Sequence, residues 1–321
     1  RQQVLILLFD LQQWLLLIFS KPDRYLSPNM LAEQQIADSV RWACEQEVNA
    51  PKPGNVNVWS DGHNMAVQDF LSSAAAIAPV MAQPNLKVGE RILQSIKATR
   101  KVVDCNTNLG IVLLFAPLCD AIQRCSSFDQ LSSELEKTLV ALTIEDARLC
   151  YEAIRLADAG GMGQQAEEDI HQQPKVTLRK AMELAQNRDT IALQYVNNYQ
   201  QVWDIGYKQL TEALKCGEKV EWASTIAYLY LLARVPDTLI IRKQSRHIAQ
   251  TVAQKAQLFI LKMNKNRPLS KSTAELTVWD QELKSHAINP GTSADMTAAA
   301  LLLFAFEQAF DSNRISVARC L

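Results

Sequence analysis

Glycine is scarce in this chain, ten residues of 321, and almost no stretch alternates between apolar and polar side chains over the length of a strand. Those two absences argue against sheets and their tight turns. An excess of charge is missing as well: 33 Lys and Arg oppose 34 Asp and Glu, a formal net charge of -1. The chain therefore offers no broad basic surface to a nucleic-acid backbone, and any anion site has to be local. The seven cysteines are an odd set without a C-x-x-C pair. Neither a disulfide framework nor a zinc module is indicated, and a reducing, cytoplasmic setting is the simpler expectation. His63, His171, His247 and His286 are far apart, with no H-x-x-x-H spacing to put two metal ligands on one helix face. Long apolar runs are lacking too. The patches at 4–9 and 14–19 are separated by Asp10, Gln12 and Gln13, short of the roughly 20 residues that span a bilayer, and no small-residue cleavage site follows them.

What is abundant is Ala, Leu, Gln, Glu and Lys, all good helix formers. From Glu33 the apolar positions Ile36, Ala37, Val40, Ala43 and Cys44 recur at helical spacing up to the Pro51-Lys52-Pro53-Gly54 turn. Further helices are predicted over 67–83, 88–105, 109–123, 127–141, 144–157, 176–185, 190–215, 220–233, 239–262, 271–284 and 293–310. The segment 111–116 is apolar on every side, which fits a central helix surrounded by others. With no Gly/Ser/Pro-rich linker and no fixed repeat, residues 30–321 read as one all-α, multi-helix bundle domain. Residues 1–29 read as an appendage or a mis-set start, with an amphipathic docking helix as the alternative.

Polar side chains on faces assigned to the core are the candidates for function. Glu47 follows Ala43 and Cys44 by four and three residues, so its carboxylate points inward, where it needs an ion pair, hydrogen bonds or a metal. Next to it Pro51-Lys52-Pro53-Gly54-Asn55 holds Lys52 on a loop stiffened by two prolines, suited to a phosphate or to nothing more than connecting helices. His63 and Asp69 follow closely; Asp69 can favour a helix N-terminus or bind magnesium. Thr99 and Asn106 continue the apolar stripe of Ile92 and Ile96. Thr107 or Asn108 can cap the next helix, and Gly110 leaves room for an anion at its N-terminus. Gly160-Gly161-Met162-Gly163 is neither a Walker A loop nor a dinucleotide fingerprint, and a helix C-cap accounts for one of its glycines. Asp237 opens another helix with Arg242 one turn in. Asp295, in Asn289-Pro290-Gly291-Thr292-Ser293-Ala294-Asp295, aligns with Ala298, Ala299 and Leu302 on an apolar face.

In order and pattern, these segments resemble the triphosphoribosyl-dephospho-CoA synthase family. The residues that carry the resemblance are Glu47-Val48 with Pro51-Lys52-Pro53-Gly54, Asp69-Phe70-Leu71-Ser72-Ser73-Ala74, Thr99 with Asn106-Thr107, Gly160-Gly161-Met162-Gly163, Asp237-Thr238 and Pro290-Gly291-Thr292-Ser293-Ala294-Asp295. They span nearly everything after Met30. The resemblance implies an all-α enzyme that transfers a triphosphoribosyl group from ATP to the ribose hydroxyl of dephospho-CoA and releases adenine. Such chemistry passes through an oxocarbenium-like centre and calls for a carboxylate base and for cations on the triphosphate. Glu47, Asp69, Asp237 and Asp295 are then the candidate catalytic carboxylates, with Glu47, Asp69 and Asp295 also able to hold Mg2+. Lys52 and Arg242 are candidate phosphate contacts. Gly54, Asn55, His63, Thr99, Asn106, Thr107, Asn108, Gly110, Gly161, Gly163 and Ser293 complete the expected substrate site.

One departure stands out: where the well-known synthases carry Asn-Thr-His-Lys-Gly, this chain has Asn106-Thr107-Asn108-Leu109-Gly110. It looks more like a divergent branch of methanogens and methylotrophs, which implies a one-carbon cofactor of the methanopterin or methanofuran type as an alternative to a CoA-type acceptor. A non-catalytic helical scaffold is the third reading, and a homo-oligomer is left open.

Overall fold

The structure, a computed structural model, describes residues 30–157, 172–263 and 269–320, from 314 on as helix backbone only. The expectations for residues 1–29 and for Gly161 and Gly163 lie outside the described residues. Within them the chain is all-α: fourteen α-helices, and in place of strands only two isolated bridges, Asn57 with Ser60 and Gly62 with Met65.

In chain order the helices are α1 (Glu33–Asn49), α2 (Val67–Ala82), α3 (Val88–Arg100), α4 (Leu109–Ile122), α5 (Leu131–Val140), α6 (Ile144–Leu156), α7 (Leu178–Ala185), α8 (Thr190–Val196), α9 (Lys208–Lys215), α10 (Val220–Arg234), α11 (Thr238–Lys243), α12 (Arg246–Met263), α13 (Thr273–Ser285) and α14 (Gly291–Cys320). Two predicted helices are broken. The span 190–215 becomes α8, a π-helical turn at Val202–Tyr207 and α9, because Asn198 and Tyr199 take left-handed backbone conformations (φ 55° and 62°). Asparagine tolerates that region better than most residues. The span 239–262 breaks at Gln244 (ψ -94°), after which the Ser245 hydroxyl accepts the Ile248 N–H and caps α12.

The all-apolar helix α4 is central as expected, buried everywhere except Gly110 and Asp120. It shares the middle of the bundle with α10, buried from Trp222 to Leu232, and α14, buried from Met296 to Phe306. Pro117 inside α4 removes the N–H that would serve the Leu113 carbonyl. Tyr195 fills the gap, donating its hydroxyl to that carbonyl at 2.6 Å, and Tyr199 does the same for Leu114 at 3.0 Å. A buried helix that lacks one backbone donor at Pro117 is thus stitched to α8 and the turn after it. Helix α1 packs along α2 and α14, and α4 touches α14 as well. Residues near both ends of the described chain therefore meet at the start of α4.

Candidate active site

A cavity of about 540 Å³ opens where these helices meet. Its acidic floor comes from Glu47 on α1 and Asp295 at the start of α14. Asn55, Asn289 and the residues 106–110 leading into α4 add amides, a hydroxyl and backbone. One wall is apolar, formed by Tyr151 and Ile154 of α6, Leu178 and Met182 of α7, and Ile191 of α8. Arg188, Arg242 and Lys243 stand at it with Asp189. The N-terminal ends of α4, α8 and α14 all open on the cavity, so their backbone dipoles favour an anion there.

Glu47 is buried, and its Oε1 pairs with Lys52 Nζ at 2.9 Å. Burial pushes its carboxyl above the usual range, and the neighbouring ammonium pulls it part of the way back. Asp295 has no hydrogen bond or ion pair with any described residue. Burial raises its carboxyl well above the ordinary value, Glu47, Asp237 and Asp189 raise it further, and Arg242 opposes them. Arg242 itself reaches Asp189 Oδ2 at 3.7 Å.

Of the residues singled out from sequence, Glu47, Asn55, Asn106, Thr107, Asn108, Gly110, Arg242 and Asp295 line the cavity. The others are placed behind or beside it. Lys52 does not line this cavity; it is fully buried, held by Glu47 and the Val56 carbonyl. Gly54, at φ +84°, is the turn that lets the loop pass close to Pro290, and His63 Nε2 lies 2.8 Å from its carbonyl. Asp69 closes the start of α2, its Oδ2 accepting the Ala66 N–H at 2.8 Å; of that helix start it is Phe70 that reaches the cavity. Asp237 accepts the Leu239 and Ile240 N–H groups on one oxygen and the Ser293 N–H and hydroxyl on the other. It clamps α11 to the start of α14, with Ser293 as the other half of the clamp. Thr99 and Asn108 hold each other by paired hydrogen bonds of 3.0 and 3.2 Å. The expected cap on α4 is therefore supplied not by Thr107 or Asn108 but by Asn106, whose Oδ1 accepts the Leu109 N–H; Thr107 is bonded to Ser73 instead.

Asp189, Asn289, Tyr151 and the basic pair Arg188 and Lys243 were not among the expected residues. Asp189 had a local signal, standing just before a helix start as an N-cap. Asn289 adjoins the Pro290-Gly291 element. The apolar wall carries no signal, since its side chains read as ordinary core.

Among the described residues no group of three or more His, Cys, Asp or Glu side chains is arranged around a metal position, and no helix is long and apolar enough to cross a membrane.

The structure is thus an all-α body around a cavity with an acidic floor, an apolar wall and nearby arginines. Residues 33–314 match the profile of the ATP:dephospho-CoA triphosphoribosyl transferase (CitG) family, and the chain belongs to that family. A crystal structure of a candidate triphosphoribosyl-dephospho-CoA synthase from Archaeoglobus fulgidus is similar, with a TM-score of 0.58 and 26 % identity over 74 % of this chain and 99 % of the other. Curated proteins include no match to the chain.

Proposed function

We propose that this cavity transfers the triphosphoribosyl group of ATP to a ribose hydroxyl of dephospho-CoA. The glycosidic bond between the ribose C1′ and adenine breaks, the acceptor oxygen bonds to C1′, the acceptor proton passes to a carboxylate and on to water, and adenine leaves with the bonding electron pair and takes up one proton from water. The observation that carries this reading is the convergence of Glu47 and Asp295 in one cavity inside a family defined by that reaction.

Glu47 is the base, because its ion pair favours the charged form of a carboxyl that burial would otherwise neutralise. Asp295 faces the donor's triphosphate. A magnesium ion that arrives on the triphosphate keeps several waters and needs only one or two carboxylates; Asp295, whose side chain has no hydrogen bond among the described residues, fits that requirement and leaves the free oxygen of Glu47 to act as base. Bound there, the metal would neutralise phosphate charge. Arg242, with Arg188 and Lys243 beside it, supplies the cations for phosphate oxygens. Asn55 offers a buried Oδ1 that has no partner among the described residues, an acceptor for a sugar hydroxyl. Six described cysteines are free, four of them buried, which supports a reducing compartment such as the cytoplasm.

Purified protein incubated with ATP, Mg2+ and dephospho-CoA should release adenine in step with loss of both substrates. Absence of adenine with dephospho-CoA would rule out this acceptor. The Asn108-Leu109 pair, an amide turned onto Thr99 followed by an apolar side chain, favours a second reading in which the acceptor is a one-carbon cofactor precursor; adenine release with such an acceptor alone would establish it.

A further inference from the structure

Lys52 belongs to a loop braced from several sides. Tyr228 of α10 donates to the Pro53 carbonyl at 2.7 Å, and the Gly54 N–H donates to Asp280 Oδ1 of α13 at 2.8 Å. The Asn57 amide donates to the carbonyls of Lys52 and Asn55. The ammonium at the centre of this loop commits two of its three donors, to Glu47 Oε1 at 2.9 Å and to the Val56 carbonyl at 3.0 Å. It lines no part of the main cavity. Lys52 instead lines a second, smaller pocket of about 90 Å³ together with Pro51, Pro53, Trp59 and Asp280.

We propose that Lys52 is a positioning residue: it grips one oxygen of Glu47, presents the rest of that carboxylate to the cavity, and never touches the phosphates of the substrate. The inference rests on Glu47 being the base. A glutamate has three side-chain torsions, and a base a fraction of an ångström out of place loses much of its effect. A lysine fixed by a proline-braced loop removes that freedom. The same loop carries Asn55 into the cavity lining, so base and sugar contact are set by one rigid unit.

The test separates positioning from phosphate binding. In Lys52→Met, turnover at saturating ATP and dephospho-CoA should fall about 100-fold or more, the range typical of losing general-base catalysis. ATP–Mg2+ affinity by calorimetry should stay within about threefold, since no phosphate contact is lost. Lys52→Arg should recover at least about tenfold of the turnover, because a guanidinium can hold the same carboxylate. Glu47→Gln should fall to the level of Lys52→Met, and Glu47→Gln/Lys52→Met no lower than either, as expected of residues that act as a unit. That double variant also guards against misfolding, because removing one partner alone strands a buried charge whereas removing both does not. ATP affinity weakened tenfold or more in Lys52→Met, with turnover at saturation retained, would make Lys52 a phosphate ligand and overturn the proposal. So would a double variant whose loss is the product of the single losses. Wild-type protein that releases no adenine sinks the reaction instead, and the calorimetric comparison still decides whether Lys52 meets the phosphates.

Discussion

Gly110 and Asp295 touch: a Cβ added to Gly110 would stand 2.0 Å from Asp295 Oδ2 and 2.4 Å from its Cγ. The N-terminal turn of α4 thus forms the bed of the Asp295 carboxylate, where the positive end of the helix dipole favours negative charge. No side chain larger than hydrogen fits between them.

Gly110→Ala should consequently act chiefly on Asp295, with the Ile191 Cδ1 that would lie 2.8 Å from the new methyl giving way by a small shift. Alanine is a better helix former than glycine, so α4 itself loses nothing, while the carboxylate must rotate away. We expect turnover to drop at least about tenfold, as for a misplaced functional group, with a melting temperature within about 3 °C of wild type. Turnover equal to wild type would show that Asp295 takes no part in the reaction.

The pH dependence of stability reports on the same carboxyl. Its value in the folded protein is raised well above the ordinary one by burial, with Glu47, Asp237 and Asp189 adding to the effect. Between the ordinary carboxylate value of about 3.9 and that raised value, the folded state holds a proton the unfolded chain has released. Stability therefore falls as pH rises through this window. Asp295→Asn removes the penalty, so its melting temperature should exceed that of wild type at neutral pH and converge with it in acid, while turnover is lost. Thermal melts of both proteins at several pH values check the sign; a gap that is flat, or that widens toward acid, would mean that the folded site does not oppose ionisation.

Asp237 is predicted to behave differently from Glu47 and Asp295. Each of its oxygens already accepts two hydrogen bonds, from Leu239 and Ile240 on α11 and from the backbone and hydroxyl of Ser293. Asp237→Ala uncaps α11 and strands the buried Ser293 N–H, at a cost of about 2–4 kcal/mol. Chemical denaturation should show that loss, with turnover per folded molecule much less affected. Wild-type stability combined with absent turnover would instead put Asp237 in the chemistry.

The helices themselves were largely legible because their apolar periodicity is strong: the buried rod of α4 follows from the run 111–116, and its start at Leu109 from the capping residues 106–108 before it. The breaks at Asn198 and Gln244 were missed because tertiary contacts and left-handed residues override a continuous helical pattern. In the site, inward carboxylates were readable as polar residues on apolar faces, but which of them would reach the cavity was not. Asp237 reads as opening a helix and Asp295 as facing inward, yet both are candidates for the chemistry, and only the packing of α11 against α14 turns one into a clamp and leaves the other's side chain without a hydrogen bond among the described residues. Lys52 misleads for a related reason: a proline-braced lysine suggests an outward-facing cation until its partner, Glu47, is found behind it.

Arg242 and Asp189 allow a prediction of opposite signs. Their 3.7 Å pair is partly solvent-exposed, each side chain 30 % accessible, so the pair adds little to stability and its main effect is to occupy a cation that phosphate oxygens would otherwise use. Arg242→Ala should weaken ATP binding about three- to tenfold, and raising the salt concentration should shrink the difference. Asp189→Asn should tighten it by about two- to fivefold. Asparagine is the right substitution because Asp189 Oδ1 also caps α8, accepting the Ile191 and Ala192 N–H groups, and an amide oxygen preserves that cap while the charge on Oδ2 disappears. Calorimetric titration of ATP into both variants would settle the matter. If Asp189→Asn weakens binding as Arg242→Ala does, the pair serves to orient the guanidinium rather than to restrain it.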